Sequence, residues 1–154
     1  MSNPEMKLVY RLEDDLSRDP DQVALTQALT LDQSRPDMGL RGAHGLFGSP
    51  EWWASIRNGQ MRLMRSTGVI ESVYTAGQDA RDEDNEFVLR QDDGTTHTES
   101  CYVNHDADRI LFKVGHRVEI AYALDELKER GDNGEPLFSE IVLSMAVSTK
   151  PVIR

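Results

Sequence analysis

From Met61 onward the chain is cut into short segments rich in β-branched and aromatic residues: VIESVY, EFVLR, ESCYV, RVEIAYAL and EIVLSMAV. Turn residues separate them. Gln91-Asp92-Asp93-Gly94 and Gly131-Asp132-Asn133-Gly134 are hairpin signals, because Asp-Gly and Asn-Gly tolerate the positive φ that tight connections need. Segments of that kind pair with their neighbours in sequence, so the pattern predicts an antiparallel sheet. The alternation is clearest from Phe112 to Leu124. Phe112, Val114, Val118, Ile120, Tyr122 and Leu124 are expected on one face, and Lys113, Arg117, Glu119 and Asp125 on the other, which describes one buried and one wet face. Ile141, Leu143, Met145 and Val147 repeat the rule in the last segment.

Five such strands in about 90 residues form a small antiparallel barrel or a curled five-stranded meander. The spacing resembles that of OB-like and SH3-like barrels, a likeness of pattern that implies nothing about function. The fold class expected is α+β, mainly β, with an N-terminal helical arm and a short tryptophan-bearing helix. A strand is expected to about Leu124. A helical turn is allowed after it, since Glu126 and Arg130 stand at helical spacing.

Ahead of the strands, Leu8, Val9, Leu12 and Leu16 favour a short amphipathic helix over Lys7 to Leu16, with a strand through Leu8, Tyr10 and Leu12 as its rival. Asp19-Pro20 reads as an N-cap with proline at the first helical position, predicting a helix from Pro20 to Leu31. Gly39, Gly42, Gly45 and Gly48 then fall every third residue, and Ser49-Pro50 opens a second capped helix that Gly59 stops. One domain of 154 residues is expected, with an arm over 1–35, the glycine loop and helix over 36–60, and the β-domain over 61–150.

Seventeen basic against 27 acidic side chains leave a net charge of −10. Such a surface repels phosphate backbones and anionic lipids, so nucleic acid and membrane are poor partners and a basic protein is a good one. The N-terminus lacks the apolar core of a signal peptide, and no stretch reaches the 18 apolar residues of a membrane span. Cys101 is the only cysteine, so no internal disulfide forms. These features predict a cytoplasmic protein. The acidic run over 78–86 is expected to be a solvated loop.

Sets that suggest chemistry give way to plainer readings. His97, Cys101 and His105 are metal-ligand types, but on a strand residues four apart lie roughly 13 Å from one another, too far for one zinc. Asn104 to Asp108 lacks the glycine and terminal glutamate of a calcium loop. The glycine loop lacks a Walker lysine, and Pro50 and Glu51 oppose an anion at the helix start. No metal or cofactor is expected.

The binding candidates are Arg41, His44, Phe47, Trp52, Trp53 and Arg57, where a pliable loop adjoins residue types common in hot spots. Adjacent helix positions point about 100° apart. The two tryptophans therefore act either as core and lid or as one core ring and one contact ring. The reading is a non-catalytic protein-interaction module of undefined oligomeric state; an acidic inhibitor- or immunity-type protein facing a basic partner is one concrete form. The alternatives are a barrel that binds single-stranded nucleic acid or a small ligand through Tyr74, Phe87 and Tyr102, and an enzyme using the glycine loop and His44.

Overall fold

A computed structural model describes residues 3–76 and 85–152, so the acidic run over 78–86 lies largely outside the described residues. Among the described residues, nine regular elements follow in order: β1 (Met6–Arg11), α1 (Leu12–Arg18), α2 (Pro20–Leu31), α3 (Pro50–Arg57), β2 (Arg62–Tyr74), β3 (Glu86–Gln91), β4 (Thr96–Ser100), β5 (Arg117–Arg130) and β6 (Pro136–Ser148), with a 3₁₀ turn over Asp106–Leu111. The strands make one antiparallel sheet in the order β1-β6-β5-β2-β3-β4. It is mainly β, as expected, but among the described residues it has six strands where five were expected, and it stays open rather than closing into a barrel. The chain divides into two compact units: Met1–Arg11 with Arg65–Ala121 and Leu143–Arg154, and Leu12–Met64 with Tyr122–Val142.

In the first unit, β1 pairs with the end of β6 from Met6↔Ser148 to Arg11↔Ser144, with a register shift between Leu8 and Tyr10. The helix expected over Lys7 to Leu16 is therefore a strand in its first half and a helix only from Leu12. The bulge explains the misreading. An extra residue breaks the period of two, so the adjacent Val9 and Tyr10 are both buried and the apolar spacing mimics a helix.

Two further expectations shift here. Phe112 is buried, but it follows the 3₁₀ turn, and Val114 is 59% exposed on the turn that leads into β5. Neither belongs to the strand. The ESCYV segment pairs earlier than expected, as Thr96–Ser100, leaving Cys101 beyond the strand. The hairpin at Asp92-Asp93-Gly94 forms as read, and Asp93 Oδ1 accepts hydrogen bonds from Thr95 N and Oγ1 at 2.9 and 2.6 Å. Val118, Ile120, Met145, Val147, Phe87 and Leu89 are buried, and the Phe87 and Phe112 rings stack tilted at 5.4 Å.

The second unit holds the helices and the outer half of the β5–β6 hairpin. Asp19 Oδ1 accepts from Gln22 N at 3.3 Å, so α2 begins where its cap predicted. Its C-terminal end is held by Lys128, whose Nζ donates to the carbonyls of Leu29, Asp32 and Arg35 at 2.6, 3.1 and 3.1 Å. β5 runs on to Arg130, with no helical turn after Leu124. The Glu126–Arg130 pair forms at 3.1 Å all the same. Its spacing could not decide the element; the backbone partners did. Lys128 N donates to Gly39 O at 3.0 Å and Arg41 N to Glu126 O at 2.9 Å, so the glycine loop lies along β5 as a short bridge.

Candidate functional site

The glycine loop, α3 and the outer part of β5 form one cluster within the second unit. Ser49 Oγ accepts from Trp52 N at 3.2 Å and Pro50 occupies the first turn, which sets the start of α3. Trp52 points inward and is 0% exposed. Its Nε1–H donates to Asp125 Oδ2 at 2.8 Å. Phe47 is buried against Trp52, with ring centroids 4.9 Å apart at 65°. Trp53 is half-buried and meets Trp52 edge to face at 4.8 Å and 84°. Edge-to-face contact places the positive rim of one ring on the negative face of the other.

Asp125 corrects the sequence reading. It was placed on the wet face of its strand, yet it is 0% exposed. Burial pushes its carboxyl above the usual carboxylate range; the Trp52 hydrogen bond and the nearby His44 pull it back only in part. Among the described residues, its Oδ1 has no hydrogen-bond partner.

The loop wraps this cluster closely. Gly45 takes φ +96, and a Cβ there would stand 2.9 Å from Glu51 Cβ and 3.1 Å from Trp52 N, so this position needs glycine both for its conformation and for its space. Gln27 Nε2 donates to Phe47 O at 2.8 Å, and Ser55 Oγ donates to His44 O at 3.1 Å. The loop amides serve internal turns: Gly45 N donates to Gly42 O and Ser49 N to Leu46 O.

Of the six candidate residues, Phe47 and Trp52 are thus internal and offer no ring to a partner. Arg41 is exposed, but its guanidinium pairs with Glu126 Oε2 at 3.0 Å and donates to the Leu127 and Lys128 carbonyls. His44 and Trp53 are half-buried, and Arg57 is exposed. Sequence reasoning missed Asp125. An acidic residue ending the apolar run IAYAL was the one available signal, and it reads equally well as a strand edge. It also left the outward side of α2 unremarked.

The other sets disperse. Phe87, one of the three stacking candidates, lies in the core; Tyr102 is exposed but stacks on Tyr10 at 5.2 Å; Tyr74 is half-buried, its phenol engaged with Glu86. His97 sits on β4, Cys101 is buried after it, and His105 is exposed ahead of the 3₁₀ turn. Among the described residues, no three His, Cys, Asp or Glu side chains are grouped to hold a metal ion.

The chain is acidic, its sheet is open and its aromatic cluster is turned inward to hold a loop and a helix; that it is a protein-interaction module rests on its match to a family model. Residues 6–148 match the family model described as Immunity protein RhsI2, and the chain belongs to that family. Membership in an immunity-protein family makes it non-catalytic. A search of curated proteins finds no match.

Proposed function

We propose that this protein neutralises a toxin by binding it, that the toxin face it covers is basic, and that the encounter takes place in the cytoplasm. The family match over residues 6–148 carries the first part. The net charge of −10 supports the second: opposite charge steers encounter and raises association rates well above those of neutral partners. The cysteine count supports the third: a chain with one cysteine forms no internal disulfide, so the fold draws nothing from an oxidising compartment.

Co-expression tests the reading. Each toxin domain from the same genome is produced in a host it kills, with and without this chain, and growth is scored. Rescue from one toxin is expected. Rescue from none refutes the neutralising role. Association with the rescued toxin is then measured as salt is raised. A rate that falls steeply supports a basic face, and a flat rate refutes it.

A further inference from the structure

We infer that the outward face of α2, together with the acidic arm that leads into it, is the surface that seats the toxin. This rests on the toxin-binding reading above. The partner chemistry it fits is an apolar centre rimmed by lysine or arginine.

The helix is apolar on both sides, yet among the described residues only one side is covered. A Cβ on Gly48 would meet Val23 at 3.3 Å, one on Gly39 would meet Leu29 at 2.8 Å, and Gln27 reaches the Phe47 carbonyl. Those residues mark the inward side. At 100° per residue, Ala24, Leu25, Ala28 and Leu31 share the opposite side. All four are exposed, Leu25 at 72% and Leu31 at 65%. No residue of α2 is fully buried. A helix with apolar residues on both sides normally has both covered. Single surface leucines are ordinary, but neighbouring ones along one helix face mark an interaction surface.

Charge selects the occupant. The segment EDDLSRDPD, residues 13–21, carries five carboxylates and one arginine, and it runs straight into the helix. A second copy of this chain would bring the same acidic arm to the same face, since a two-fold dimer joins identical patches. Like charges would then oppose one another. A basic partner meets attraction at the rim and a dry apolar centre on α2, the layout in which central anchors carry most of the affinity.

The test uses the full chain and the toxin it rescues in the co-expression screen. Leu25→Asp with Leu31→Asp is expected to weaken toxin binding at least about 100-fold while the melting temperature stays that of the wild type. Leu25→Ala with Leu31→Ala keeps good helix formers and is expected to weaken binding about tenfold, which separates lost contact from lost folding. Asp15→Asn with Asp21→Asn should slow association and flatten its salt dependence. Val114→Asp, in the other unit, should bind as the wild type does. Full affinity in both leucine pairs overturns the inference while leaving the toxin reading intact. If the wild-type chain rescues from no toxin, both fall together. If the leucine substitutions only dissociate a dimer of this chain, the face is a self-interface and the inference is overturned.

Discussion

Trp52→Phe removes a single buried donor, and the structure sets what that loss should be. The indole Nε1–H is the hydrogen bond to Asp125 Oδ2, at 2.8 Å, and Oδ1 has no partner among the described residues. A hydrogen bond to a charged group contributes about 1.5–3 kcal/mol, and a buried group left unsatisfied costs its full desolvation. The smaller ring leaves a void that adds about 1 kcal/mol. Trp52→Phe should therefore lose about 2.5–4 kcal/mol. At about 2–4 °C per kcal/mol for a chain of this size, that is a visible drop in Tm. Asp125→Ala should lose less, because it also removes a poorly solvated carboxylate. The double variant should fall short of the sum by about 0.5–3 kcal/mol, the coupling expected of direct partners. The pH dependence has a definite sign. Burial raises the Asp125 carboxyl in the folded chain, so its stabilising contribution is present below the ordinary carboxylate range and is lost as pH rises through the folded value. Trp52→Phe removes one of the influences that lower it, so the deficit should widen from acid to neutral pH. Urea melts of all four proteins at several pH values read both effects. Additive losses with no pH dependence would refute the buried Trp52–Asp125 pair as the organiser of this cluster.

Ile120 is buried and Glu119 only partly so; Ile120→Ala should lose about 2–5 kcal/mol in urea melts and Glu119→Ala should stay within about ±0.5 kcal/mol. A Cβ on Gly68 would stand 2.1 Å from Arg90 O across the β2–β3 ladder, so Gly68→Ala should cost about 1–3 kcal/mol or more, with faster amide exchange along β3 as its signature. Lys128→Met keeps the stem but removes the ammonium from three carbonyls at the end of α2; thermal melts should show a loss of about 1–3 kcal/mol, and no change would mean that water serves those carbonyls equally well.

Local chemistry was legible in the sequence alone. Ser49-Pro50 and Asp19-Pro20 place both helix starts, and Asp-Asp-Gly and Asp-Asn-Gly place two hairpins, because caps and tight turns are decided within a few residues of chain. The alternation through Val118, Ile120 and Tyr122 likewise announced a buried strand face. What tertiary structure alone decided lies wherever a distant segment supplies the partner. The bulge at Val9 exists because β1 pairs with β6, and the continuation of β5 past Leu124 has the glycine loop bonded along it. Asp125 is buried because α3 brings an indole donor across 73 positions of sequence, and no strand pattern encodes that. The same holds for α2. Its apolar residues are plain in the sequence, but which of them face outward is set by where Gly39 and Gly48 let the loop approach, leaving Leu25 and Leu31 in solvent.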